Sequence, residues 1–172
     1  MMNVAETESA MPECLGYFSV VRIEGLGYCG GYLLLNFDGR PLEFHCTMPV
    51  NPDRAQQILY GDSLESFLMG ELIPRPLLAK SALQPPLILV GDARLLASQQ
   101  WTASVVVLLA DSPRSSQPNP EASDPGRSIA QHVVEKDSHT GWLRDLQQRM
   151  DLNEPFDRID MAIREAHRVQ AA

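Results

Sequence analysis

The chain has 172 residues, 44% of them hydrophobic and 21% charged, which is enough for one domain with a proper core plus extra segments. Its formal net charge of −8 argues against a bulk electrostatic grip on nucleic acid and against a polybasic membrane surface. The longest apolar run, Val105 to Ala110, is far short of the roughly 18–20 residues that a membrane helix needs.

Residues 1–15 are polar, with neither a basic start nor an apolar run, and read as a mobile lead-in rather than a secretory signal. "YFSVVRIE", 17–24, is rich in β-branched and aromatic residues and reads as a strand. After the turn "GLG" come "YCGGYLLLNF" and "RPLEFHCTMPV", separated by Asp38-Gly39. Asp-Gly between two apolar runs signals a hairpin, because both residues tolerate positive φ. With Asp38 and Gly39 as a two-residue loop, Leu35 opposes Leu42 and Leu33 opposes Phe44. One face then carries Cys29, Leu33, Leu35, Phe37, Leu42, Phe44, Cys46 and Met48, a core face. The other carries Tyr28, Tyr32, Leu34, Asn36, Glu43, His45 and Thr47, a mixed face.

Further along, Asn51 and Pro52 suit a helix start, with Ala55, Ile58 and Leu59 as its stripe and Gly61 as its end. Leu64, Phe67, Leu68 and Leu72 recur at helical spacing, and Pro74 and Pro76 are expected to stop that helix. "PPLILVGD" and "TASVVVLLAD" are short continuous apolar runs and read as buried strands. The Pro- and Ser-rich stretch 112–127 reads as a flexible linker after a globular domain of 16–111. The tail, 128–172, is helical in character, with Trp142, Leu143, Leu146 and Met150 in one segment and Phe156, Ile159 and Ile163 striping the next.

The expected fold class is α+β. A three-stranded antiparallel meander is extended by two further buried strands into a mixed sheet, with helices on one face and a helical C-terminal tail. The order of elements also resembles the RNase H-like arrangement, whose active members need an acidic residue in the middle of the first strand. "YFSVVRIE" has none there, so the resemblance implies that fold without a complete active site.

Tyr60-Gly61-Asp62-Ser63-Leu64 resembles the motif of the GDSL esterases. That resemblance implies a serine nucleophile at Ser63, with a base and an oxyanion hole from later blocks. The chain departs from the pattern. No Gly-x-Asn-Asp block follows, Asp137-Ser138-His139 is one residue short of Asp-x-x-His, and three strands precede the motif where the family has one. A helix junction accounts for every letter: Gly61 ends one helix, Asp62 caps the next with Glu65 three residues on, and Leu64 opens its stripe.

"GLGYCG" matches a dinucleotide-binding spacing, but a strand follows where that site needs a helix. Cys29, His45 and Cys46 are too few for tetrahedral zinc, and neighbours on a strand point to opposite faces. No metal and no cofactor are therefore expected. Asp92, Asp111 and Glu43 are candidates for a Mg²⁺ carboxylate cluster of a nuclease-like hydrolase. Tyr32, Glu43 and His45 form a possible ligand face for a small-ligand sensor.

The leading expectation is a non-catalytic adaptor or accessory subunit. It engages another protein, or its own oligomer, through Phe156, Ile159 and Ile163 of the tail helix. Three cysteines without a CxxC spacing point to a reducing, cytoplasmic setting.

Overall fold

The computed structural model describes residues 12–109 and 138–168. The expected lead-in, the linker, Asp111, and the side chains of His139 and Trp142 lie outside the described residues.

The first three strands are β1 (Leu15–Ile23), β2 (Gly27–Leu35) and β3 (Pro41–Cys46), paired antiparallel as a meander. Two more, β4 (Leu87–Val90) and β5 (Val105–Leu108), add in parallel beside β1. The sheet order is β3-β2-β1-β4-β5, the α+β mixed sheet expected from the pattern of apolar runs. The middle residue of β1 is Ser19.

The hairpin register agrees with the alternation argument at Leu33↔Phe44 and Tyr32↔His45. It departs near the turn, where Leu35 faces Pro41 rather than Leu42. The loop is one residue longer than two. Asn36 accepts from Gly39 N–H through its carbonyl, and its side chain accepts from Asp38 and Arg40 N–H at 3.0 and 2.9 Å. Gly39, at φ +75°, takes the left-handed position. A register shift between Leu34 and Leu35 then absorbs Leu42.

Between β3 and β4 the chain is helical: α1 (Arg54–Tyr60), a 3-10 turn (Gly61–Ser63), α2 (Leu64–Phe67), a π-helical turn (Leu68–Leu72) and α3 (Pro74–Lys80). The start of α1 is set by Asp53 rather than Asn51. Asp53 accepts from Gln56 N–H at 2.8 Å, and the Gln56 side chain accepts from Asp53 N–H at 3.0 Å, a reciprocal capping box. Pro74 and Pro76 open α3 instead of ending a helix, because a first-turn proline has no intrahelical N–H bond to lose. A 3-10 stretch (Ala93–Trp101) joins β4 to β5. The tail forms α4 (Ser138–Arg149) and α5 (Glu154–Arg168).

Both faces of the sheet are buried. Phe18, Tyr32, Leu34, Ile88 and Val90 pack against Leu68, Ile73 and Leu77 of the helices between β3 and β4. Tyr17, Leu33, Leu35 and Leu89 pack against Leu143, Leu146, Phe156, Ile159 and Ile163 of the tail. The face read as mixed is thus also a core face at Tyr32 and Leu34, because helices close over it. The expectation that Phe156, Ile159 and Ile163 face a partner is corrected: all three are buried on the sheet of their own chain. Phe156 meets Tyr17 edge to face, with centroids 5.3 Å apart. Each such side chain contributes about 1.5–3 kcal/mol when fully buried, a large share of a typical domain's stability of about 5–15 kcal/mol.

Gly30 and Gly31 set how close the two helical layers come. A Cβ on Gly30 would collide with Ile73 Cγ2 and lie 2.8 Å from Leu77 Cδ1. One on Gly31 would lie 2.5 Å from Ile159 Cγ2 and 2.9 Å from Ile163 Cδ1. Gly31→Val is therefore expected to lift α5 from the sheet and cost about 1–3 kcal/mol. Urea denaturation reads this as a lower midpoint, and an unchanged midpoint would show that α5 is not seated by Gly31.

Candidate functional site

The residues singled out from the sequence divide into those the fold uses internally and those it leaves apart. Ser63 Oγ donates to the Tyr60 carbonyl at 2.6 Å, so the hydroxyl is turned back on its own backbone. Gly61, at φ +51°, ends α1 as expected, but neither Asp62 nor Ser63 provides a side-chain cap. Glu65 does not complete a capping box; it reaches Arg94 instead. The stretch is a helix junction held by backbone geometry.

Glu43 is the hub of a clasp. His45 Nε2 lies 2.9 Å from Glu43 Oε2. Ser81 Oγ donates to the same oxygen at 3.0 Å, and the Leu83 N–H donates to Oε1 at 3.0 Å. These bonds hold the Glu43 carboxyl below the usual carboxylate range, with His45 the largest cause. The clasp ties the chain after α3 to β3. Tyr32, opposite His45, is buried, and burial pushes its hydroxyl well above the usual phenol range. Tyr32 is thus withdrawn from solvent, while Glu43 and His45, both partly exposed, are engaged with each other in the clasp.

Of the carboxylates proposed for Mg²⁺, the two among the described residues, Glu43 and Asp92, do not converge. Glu43 opposes Leu34, Leu34 opposes Gly16, and Gly16 opposes Ile88. That places Glu43 about 14 Å across the sheet from the level of Ile88, at ~4.8 Å per strand. Asp92 lies four residues beyond Ile88. Among the described residues, no three His, Cys, Asp or Glu side chains form a group that could hold a metal ion.

What the fold does assemble is a cleft of about 230 Å³ at the carboxyl ends of β1 and β4, lined by Ser19, Arg22, Tyr28, Glu65, Asp92 and Arg94 among others. Here β4 stops at Val90 while β1 runs on to Ile23, and the chain turns away through Gly91 and Asp92. In open sheets with parallel strands, this end is where crevices form. Asp92 caps the 3-10 stretch by accepting from Arg94 N–H at 2.9 Å, and its carboxylate also accepts from Arg94 Nε and Nη2 at 3.0 and 2.6 Å. Arg94 Nη1 donates to Glu65 Oε1 at 2.7 Å, bridging the 3-10 stretch to α2. The Trp101 indole N–H donates to the Gly70 carbonyl at 2.8 Å and fixes the far end of the same stretch.

Ser19 is the residue that sequence reasoning missed. It is only 9% exposed, and its hydroxyl makes no hydrogen bond among the described residues. The signal was present as one polar residue in the middle of an apolar strand. Arg94 gave no such signal, since Asp92 is its neighbour in the chain but Glu65 comes from a distant segment.

A scan against protein-family models finds no match, and no curated protein matches the sequence.

The outer surface of α1 is the other feature left unused. The helix buries none of its residues; Ile58 is 65% exposed and Leu59 82% exposed. Tyr60 stacks on Phe67, with centroids 4.6 Å apart, and so anchors one end of α1 to α2.

The Asp92 carboxyl is held below the usual carboxylate range, chiefly by its side-chain bonds to Arg94. A carboxyl depressed in the folded state stabilises the fold above its unfolded pKa of about 4 and loses that contribution as pH falls further. Asp92→Asn is thus expected to be less stable than the parent at neutral pH, by about 1 kcal/mol at most given the solvent access of the pair. The gap should close toward about pH 3. Urea titrations at both pH values check this, and a gap that widens on acidification would contradict it.

Proposed function

We propose that the chain is a non-catalytic adaptor or accessory subunit of a multi-protein system, docking on another protein through the outer face of α1. The observation that carries this reading is a capped helix that buries nothing of its own domain while presenting Ile58 and Leu59 to solvent. A seven-residue helix is marginal by itself, and apolar side chains on it gain nothing from water. Burial of that face in a complex supplies the missing term. The partner is a protein with an apolar groove, because Arg54 is the only charged residue on α1.

The reading moves the contact from α5, whose stripe is spent inside the domain, to α1. The described candidates for catalysis support a non-catalytic role: Ser63 bonds its own backbone, Glu43 lies on the edge strand β3, and Asp92 caps the 3-10 stretch after β4. A cytoplasmic setting is supported by three free cysteines and by burial, which pushes the Cys14 and Cys29 thiols up and keeps them protonated.

The test is a partner isolated with the native protein and re-bound as purified components. Ile58→Asp with Leu59→Asp is expected to weaken that complex at least about tenfold while leaving the fold intact, since both side chains lie outside the core. Undiminished affinity would remove α1 from the interface, and a hydrolytic activity lost on Ser63→Ala or Asp92→Asn would remove the reading altogether.

A small-ligand sensor is the second reading, and the unpartnered Ser19 hydroxyl in its cleft is what favours it. If it holds, some member of a panel of small carboxylic acids and sugars raises the thermal midpoint of the parent, and Ser19→Leu, which fills the cleft, abolishes the shift. A parent that no member stabilises excludes this reading.

A further inference from the structure

The free edge of β3 carries an interaction surface independent of α1. Thr47 N–H donates to the Gly30 carbonyl at 3.0 Å, so Thr47 faces β2 with its backbone. Inward and outward groups alternate along an antiparallel strand. The Leu42 carbonyl, both backbone groups of Phe44 and both of Cys46 therefore point away from β2. Among the described residues, none of these groups takes part in a backbone bond outside the sheet. The side chains above them are apolar and open: Leu42 is 45% exposed and Phe44 37% exposed. No lysine stands on the strand to discourage pairing.

We infer that this edge pairs with the same edge of a second copy, joining two five-stranded sheets into one across a two-fold axis at Phe44. The choice of a second copy rests on the self-complementarity of "PLEFHC". Three two-fold registers bring more than one outward-facing residue of each strand together within Pro41–Cys46. Centring on Glu43 sets Glu43 against Glu43 of the second copy, and the carboxyl is held ionised by its clasp. Like charges directly opposite are destabilising. Centring on His45 sets imidazole against imidazole. Centring on Phe44 sets Glu43 against His45 of the second copy on one face and Phe44 against Phe44 on the other. In that register the two Phe44 residues exchange N–H···O bonds, and each Cys46 N–H reaches the Leu42 carbonyl of the other copy. The apolar row Leu42, Phe44 and Cys46 then closes over the axis. Antiparallel edge pairing of this kind is an isologous contact, which limits the assembly to a dimer.

Sedimentation of the full chain is expected to give twice the 19.1 kDa chain mass. Phe44→Pro removes the outward N–H without touching a bond to β2, which an edge strand tolerates. It should convert the dimer to monomer while leaving the circular dichroism spectrum of the folded chain unchanged. The register has its own readout. F44C combined with C46S should form a disulfide between copies under mild oxidation, because a directly opposed bonded pair places its Cα atoms about 5.5 Å apart. A parent that sediments as a monomer overturns the inference. So does a dimer that survives Phe44→Pro, or one in which F44C with C46S gives no cross-link. Ile58→Asp with Leu59→Asp should leave the dimer intact, so failure of the α1 reading and failure of this one are separate results.

Discussion

Gly30 and Gly31 leave β2 bare on both faces at one level, and the two helical layers close into that gap from opposite sides. Ile73 and Leu77 fill it from the helices that follow β3, while Ile159 and Ile163 fill it from α5. A side chain at either position would hold one layer off the sheet, and Cβ-sized clashes in a packed interior are relieved only by moving backbone. The close approach is what lets a four-residue α2, a short α3 and a tail separated from them in sequence share one sheet as their common floor. It also explains the otherwise costly use of two adjacent glycines inside a strand.

Because the tail is a structural layer, its apolar stripe answers to the sheet and not to another protein. Tyr17, Phe156, Ile159 and Ile163 form one continuous cluster with Leu33 and Leu89. Arg158 reinforces the seat of α5 by donating to the Gly39 carbonyl at the hairpin turn and to Glu154 one turn back. Among the described residues, no layer covers the outer side of α1, the outward edge of β3, or the cleft where β1 outruns β4. Each lies at the rim of the sheet, where packing ends and recognition can begin.

The polar clusters divide in the same way. Glu43, His45, Ser81 and Leu83 form a clasp whose bonds are satisfied within the chain, so it closes the end of α3 against β3. Asp92, Arg94 and Glu65 form a second tie, half open to solvent, that positions one wall of the cleft. Glu43 and Asp92, which looked like catalytic candidates, are spent on holding loops, while on the central strand the buried Tyr17 hydroxyl has no hydrogen-bond partner and Ser19 stands at the cleft.

The meander, its central register and the two buried strands were legible in the sequence. Side chains alternate strictly along a strand, Asp38-Gly39 marks the turn, and unbroken apolar runs such as "LILV" admit only a doubly covered position. The register held at Leu33↔Phe44 because the alternation is fixed on both strands. It slipped beside the turn because the Asn36 side chain stabilises a longer loop, a contact that no periodicity encodes. An amphipathic stripe likewise determines that Phe156, Ile159 and Ile163 must be covered, but not by what. Only the tertiary structure decided that the sheet covers them, that Glu43 holds a loop far from it in the chain, and that Arg94 reaches from its neighbour Asp92 to distant Glu65. Burial energy depends on the area removed from water and is indifferent to the identity of the surface that removes it. The choice was made by the shape of that surface, where Gly30 and Gly31 leave room.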